Sequence, residues 1–369
     1  MTESPSSTEI LGPNAWLVDE MYEQYLADPA SVSESWRDFF ADYQRDRDVV
    51  ASTPDVALPA TGRIGDTSQV PAVGAPTPGA TPTGAAPSTG IAADGTVEVP
   101  GEPLRGAAAR IVTNMEASLA VPTATSFREV PAKLLEVNRR VINGYLGRTR
   151  GGKVSFTHLI GYAIVRAAAD TVPVMNSSYL EGPDGKPRVV RHPRVGLGLA
   201  VDVEKADGTR TLLVPVVKDA DVLDFRGFWG AYEDLIRKVR NNKLTPDDFA
   251  GATITLTNPG TIGTVQSVPR LMPGQGVIVG VGRLDYPAAF GGADEDALAE
   301  LGVSKVMTIT STYDHRIIQG AESGLFLKRV QDLLMGGDGF YDDVFHSLGV
   351  PYEAVQWRVD DNPVDHEQG

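Results

Sequence analysis

Cysteine is absent from all 369 residues, and its absence excludes disulfides, thiolate nucleophiles and cysteine-ligated zinc or iron–sulfur centres. Histidine is scarce: five copies, His158, His192, His315, His346 and His366, are scattered at spacings that match no metal-ligand pattern. Basic charge is also short, with 33 Lys and Arg against 48 Asp and Glu and a net charge of −15. No stripe of Lys or Arg is present to neutralise phosphates, so DNA and RNA are not expected partners. No apolar run approaches the roughly 20 residues needed to span a bilayer. The first residues, MTESPSSTEILGPNAW, lack the basic and apolar regions of a secretory leader. A cytoplasmic protein without membrane contact or metal site is expected.

The acidity is concentrated at one end. Residues 1–103 hold 4 Lys and Arg and 16 Asp and Glu, leaving 29 and 32 for the rest. Composition separates three regions. Residues 1–43 carry Trp16, Leu17, Met21, Tyr22, Tyr25 and Leu26, then Val32, Trp36, Phe39 and Phe40. Their spacing puts the large apolar groups on one side of two short helices broken at Asp28-Pro29. So short a segment cannot bury those groups alone. It either packs as a hairpin on its own domain or docks on another protein. Residues 44–103 are dominated by Ala, Pro, Gly, Thr and Ser, too little apolar surface to offset chain entropy, so a disordered, extended tether is expected.

From residue 104 to 369 the pattern becomes globular. LRGAAARIVTNMEASLAV reads as a helix and TATSFREVPA as an extended stretch. AKLLEVNRRVINGYLGRT is an amphipathic helix with Leu134, Leu135, Val137, Val141 and Ile142 inward and Arg139 and Arg140 outward. A more buried helix stops before Pro173, two strands flank the turn Glu204–Gly208, and a long amphipathic helix, DFRGFWGAYEDLIRKVRNNK, follows. Then come three apolar strands, ATITLTN, GVIVGVGR and KVMTITST, and a final helix from Gly320. Interleaved helices and strands around one core make an α/β domain.

Four features bear on chemistry. His315 stands in STYDHRIIQG, at the junction between a buried strand and a helix. It is either a packed structural group or a base, and imidazole titrates near pH 7 without special tuning. In TLTNPGTIGT a strand ends in Thr257-Asn258 before Gly260 and Gly263. That is either an ordinary turn or a hydroxyl donor, Thr257, aimed at an oxyanion beside glycines that admit a ligand. The strands GLGLAVD and PGQGVIVGVG complete no dinucleotide fingerprint, so their glycines serve close backbone packing or line a channel. Lys205, at a hairpin tip, superficially matches a lipoyl-lysine turn, but a solvated lysine explains it fully.

In order along the chain, these stretches resemble a family. TSTYDHRIIQGAESGLFL resembles the Asp-His-Arg-x-x-Asp-Gly signature of the acyltransferase component of 2-oxo acid dehydrogenase complexes. TITLTNPGTIGT resembles that family's strand ending in Ser/Thr-Asn, and LGLAVDV with LLVPVVKDAD resembles its paired strands. The match runs over about residues 104 to 350. It implies the chloramphenicol-acetyltransferase-like fold, a two-layer α/β sandwich with a mixed sheet, here preceded by the helical arm and the linker. The arm, GPNAWLVDEMYEQYLADPASVSESWRDFF, resembles the N-terminus of the 2-oxoglutarate decarboxylase component. The combination resembles the fused 2-oxoglutarate dehydrogenases of actinobacteria.

The resemblance implies that His315 is the general base for a thiol attacking a thioester, that Thr257 donates to the tetrahedral oxyanion, and that Asp314 and Arg316 orient the site by ion pairing. It also implies a homo-trimer with the site between subunits. One position departs: the family's second Asp is Gln319, an amide that keeps hydrogen bonding but cannot form an ion pair. With no lipoyl domain between arm and acyltransferase, the swinging lipoyl group is expected from a lipoyl-bearing acyltransferase partner, with dihydrolipoamide dehydrogenase and coenzyme A as the other partners. Thiamine diphosphate and Mg are expected only if a decarboxylase region follows residue 369. The resulting expectation is succinyl transfer to coenzyme A in the tricarboxylic acid cycle. The alternative is a noncatalytic trimerisation scaffold and docking module for the decarboxylase.

Overall fold

The computed structural model describes residues 15–41, 90–91, 97–98, 101, 103–104, 107–149, 151–204, 208 and 210–356. The chain divides into two units, Asp46–Gly106 and the remainder. In the first, the described residues pair β1 (Gly90–Ile91) with β2 (Val97–Glu98) in an antiparallel ladder. Most of the 44–103 segment read as a tether lies outside the described residues.

In the second unit the β-branched runs form one mixed sheet of seven strands. They are β3 (Thr123–Pro131), β6 (Leu197–Glu204), β7 (Arg210–Leu213), β8 (Val216–Val217), β9 (Ile254–Thr257), β10 (Val277–Val281) and β11 (Val306–Asp314), in the order β3-β11-β10-β9-β6-β7, with β8 on β6. β9 runs parallel to both β10 and β6, whereas β11 is antiparallel to β10 and β3. All five residues of central β10 are buried, as expected of a strand covered on both faces. A separate hairpin, β4 (Ser177–Glu181) with β5 (Pro187–Arg191), stands off this sheet. Sequence reading passed over it, although Gly182-Pro183-Asp184-Gly185 between two extended runs was a turn signal.

The arm supplies α1 (Ala15–Ala27) and α2 (Glu34–Ala41), and α3 (Ala107–Ser118) opens the domain. The larger helices are α4 (Lys133–Thr149), α5 (Phe156–Arg166), α6 (Phe225–Arg240), α8 (Gly320–Leu334) and α9 (Phe340–Leu348), with α7 (Glu295–Glu300) a short outlier. Small residues let helices and sheet meet: Gly161 of α5 leaves room for Leu197 and Leu256, and Ser323 of α8 donates to Ser311 of β11 at 3.0 Å. Phe225 and Phe228 of α6 are fully buried, each contributing roughly 1.5–3 kcal/mol by leaving water. The mixed-sheet α/β sandwich expected from the sequence is the one observed. Arg139 departs from its outward reading. It is half-buried, with the guanidinium 3.9 Å over the Phe156 ring, and burial pulls its pKa below the ordinary value.

The two arm helices break at Asp28-Pro29 as their sequence predicts. Trp36 and Phe40 of α2 are buried, and the Trp36 indole N–H donates to the Leu244 carbonyl at 3.1 Å, with Phe249 beside the ring. Here the arm lies on its own domain. The side chains of Trp16 and Leu17 lie outside the described residues. Among the described residues no helix is long and apolar enough to cross a membrane.

Candidate active site

β11 is read twice before it releases His315. Ser311 and Tyr313 point one way and Thr310, Thr312 and Asp314 the other, as strand alternation requires. All five are buried. The ladder with β3 runs to Asp314 opposite Thr123, and the His315 backbone N–H extends it by donating to the Pro122 carbonyl at 2.9 Å. The chain then turns sharply, Ile317 and Ile318 donating back to the Asp314 carbonyl. His315 is thus thrown out of the sheet as an exposed side chain on a fixed backbone, with the Tyr313 ring edge-on at 5.5 Å.

Its two neighbours lock that turn. Asp314, 1% exposed, takes the Arg316 guanidinium through Nη2 to Oδ2 at 2.6 Å and Nε to Oδ1 at 2.9 Å. The Arg316 backbone N–H also donates to Asp314 Oδ1 at 3.0 Å. A buried carboxylate with this many donors is held in one place. The bond to Asp314 keeps the Arg316 pKa above its ordinary value, against the opposing effect of burial. Gln319 is the N-cap of α8, its backbone N–H donating to Glu322 Oε2 at 2.7 Å, and its side chain is exposed. His315, Asp314, Arg316 and Gln319 therefore stand together at one end of the sheet.

Thr257 does not join them. It ends β9 on the rung that Gly280 shares with Thr310. His315 lies five residues beyond Thr310, so about 16 Å along the strands and about 10 Å across them separate it from Thr257. The two expected partners occupy opposite ends of one chain's sheet. Thr257, half-buried, lines a cavity of about 550 Å³ with Thr157, Asp202, Arg210, Tyr232 and Asn258. Asn258 Nδ2 donates to Thr157 Oγ1 at 2.8 Å, and Arg210 is paired with Asp202.

Of the two glycines near Thr257, Gly260 serves packing, whereas Gly263 stands in open space. A β-carbon at Gly260 would collide with the Gly282 carbonyl, so this turn is pressed against the end of β10. Gly263 has φ of 92°, a left-handed conformation, and open space around it. Gly276 and Gly282 admit the carbonyls of Ser177 and Val265 where side chains would collide, the close backbone packing read from PGQGVIVGVG. Lys205 lies outside the described residues.

The other histidines near these ends are structural. His158 caps α5: its Nδ1 accepts the Ser155 backbone N–H at 3.0 Å, and its Nε2 lies 3.1 Å from Glu233. Burial lowers its pKa to about 4. His192 Nε2 meets Ser178 Oγ at 2.9 Å at the root of the β4–β5 hairpin.

Comparison with known proteins shows what this chain resembles. Residues 98–337 match the family model of the 2-oxoacid dehydrogenases acyltransferase (catalytic domain), and residues 10–47 match that of the 2-oxoglutarate dehydrogenase N-terminus. The chain is 49% identical to a multifunctional 2-oxoglutarate metabolism enzyme of Mycolicibacterium vanbaalenii, over 97% of this chain and 30% of that one. It thus spans about a third of the length of such relatives. The solved cubic core of a pyruvate dehydrogenase multienzyme complex superposes with a TM-score of 0.53 at 27% identity, covering 64% of this chain and 92% of that one. An Azotobacter vinelandii dihydrolipoamide acetyltransferase gives 0.52 at 27% identity over the same shares. That structure was used to study a serine, a histidine and an asparagine in the catalytic mechanism, the last two standing four residues apart.

Proposed function

The chain belongs to the 2-oxoacid dehydrogenase acyltransferase family, and on that premise we propose that it moves a succinyl group from dihydrolipoamide, carried by a partner's lipoyl domain, to coenzyme A. The observation that carries the reading is His315, an exposed imidazole on a turn locked by Asp314 and Arg316. The choice of a succinyl group, rather than another acyl group, is supported by the 2-oxoglutarate relatives and the arm.

In this mechanism His315 takes the proton from the thiol of coenzyme A, and the sulfur attacks the succinyl thioester carbon. The oxyanion of the tetrahedral intermediate accepts a hydrogen bond from the Thr257 hydroxyl. Collapse breaks the bond to dihydrolipoamide, whose sulfur recovers the proton from the imidazolium. Asp314 and Arg316 hold the turn, and Gln319, four residues after His315, offers an amide at the spacing of the Azotobacter asparagine. Because His315 and Thr257 are far apart in one chain, the working site needs His315 of one copy beside Thr257 of the next, in a trimer. Such a channel admits two thiol substrates from opposite ends. Dihydrolipoamide dehydrogenase would reoxidise the partner's lipoyl group, and thiamine diphosphate and Mg would be needed only if a decarboxylase region follows residue 369. Residues 1–43 and 44–103 act as an arm and its tether to residues 104–369.

The test is succinyl-coenzyme A formation from succinyl-dihydrolipoamide. Wild-type chain is expected to turn over, and His315→Ala to lose at least about 100-fold in kcat while keeping the oligomer. Equal rates would remove His315 from the chemistry. No transfer by wild type would favour the noncatalytic scaffold.

A further inference from the structure

The β4–β5 hairpin stands beside the His315 turn and has no part in the mechanism above. Its root is pinned there. Gly276, whose carbonyl accepts the Asp314 backbone N–H at 3.0 Å, lacks a side chain where the Ser177 carbonyl presses in. Asn176 Nδ2 donates to the carbonyls of His192 and Arg194, at 3.0 and 2.9 Å, closing the other strand. From this root β4 projects Tyr179 so that the Arg316 guanidinium lies 3.6 Å from its ring centroid. Glu181, two residues on and on the same side of the strand, adds a negative charge that favours the charged Arg316 guanidinium.

Arg316 is therefore gripped from two sides. The Asp314 carboxylate fixes the direction of the guanidinium, and the Tyr179 face fixes its plane. Arg316 is partly exposed, with 31% of its side chain open. Without the ring, water would compete for the guanidinium, and the buried Asp314 would lose the geometry of its partner. His315 lies between these two residues in the chain, so the position of its imidazole depends on both.

We propose that Tyr179 is a positioning residue for the acyl transfer: the β4–β5 hairpin clamps Arg316 through the Tyr179 ring and so fixes the turn that presents His315. The proposal rests on the acyltransferase reading given above. It concerns the aromatic face and not the hydroxyl, for which no hydrogen bond is needed. A residue of similar bulk without a π face should fail where an aromatic one succeeds.

The experiment compares Tyr179→Leu, Tyr179→Phe and wild type as full-length chains. Succinyl transfer kinetics are measured together with the NMR signals of [13C]histidine, the His315 signal being assigned from His315→Ala. We expect Tyr179→Leu to lower kcat on the order of 10-fold with KM within about two-fold, and to move the His315 signal. Tyr179→Phe should keep most of kcat and the wild-type signal. A wild-type kcat and signal in Tyr179→Leu would overturn the clamp, as would equal losses in the Leu and Phe variants. If wild type itself transfers nothing, the acyltransferase reading fails. The histidine signals then judge the clamp alone: a shift in Leu but not in Phe supports it, and no shift overturns it.

Discussion

Two inactive variants should restore each other. Thr257→Ala removes the proposed oxyanion donor and should cost on the order of 100-fold or more in kcat, and His315→Ala a comparable amount. The register separates the two residues by about 16 Å along the strands and two strands across, too far for one chain to bring both to one thioester. Under the proposed mechanism each site draws His315 from one copy and Thr257 from its neighbour. If the two variants are unfolded together and refolded at equal ratio, an intact pair forms in about one site in four by random assembly around a closed ring. Mixed material should therefore recover about a quarter of wild-type succinyl transfer, against about 1% or less for either variant alone. The assay is thioester exchange before and after co-refolding, with mixed oligomers confirmed by differently tagged chains. Mixed oligomers with no recovered activity would refute the shared site, and with it the pairing of these residues across a boundary.

Three further outcomes follow from the packing. Gly276→Ala drives a β-carbon into the Ser177 carbonyl, so it should destabilise the domain by about 1–3 kcal/mol and lower transfer; an unchanged melting temperature would refute the close approach. Trp36→Ala removes a buried ring and its bond to Leu244. It should release the arm at a cost of about 3–5 kcal/mol of local stability, and unaltered proteolysis of residues 15–41 would count against their packing on the domain. His158 is held neutral by burial, its Nδ1 accepting a backbone N–H. Its pKa falls to about 4 from an ordinary 6.5, so between those values the unfolded chain binds more protons. Stability is therefore lost as pH drops through that window, by up to about 3 kcal/mol. Denaturant unfolding at pH 7 and pH 5 should show the loss in wild type and less of it in His158→Gln, and identical pH dependence in the two would exclude this group as its source.

Much of this protein is determined locally, and those parts were open to sequence reading. Strand alternation and helical spacing depend on near neighbours along the chain, so β3, β6, β9, β10, β11 and the main helices stand where their patterns place them. The same holds for the strand-to-helix junction that exposes His315, because a buried β11 followed by α8 leaves one turn between them. The β4–β5 hairpin was harder to see, since its strands are short and mostly exposed on β5, which weakens the alternation that marks a strand.

Only the tertiary structure decided which groups meet. No local pattern reports that β9 and β11 run in opposite directions around β10, yet that single topological fact sends Thr257 and His315 to opposite ends of the sheet. The arm is a similar case: its apolar face is plain in the sequence, but its partner is the Leu244–Phe249 region some 200 residues away. The Tyr179 ring on Arg316 likewise joins residues more than 130 apart. Side-chain periodicity records that a face is buried. What buries it is settled by strand register and packing, which involve the whole chain at once.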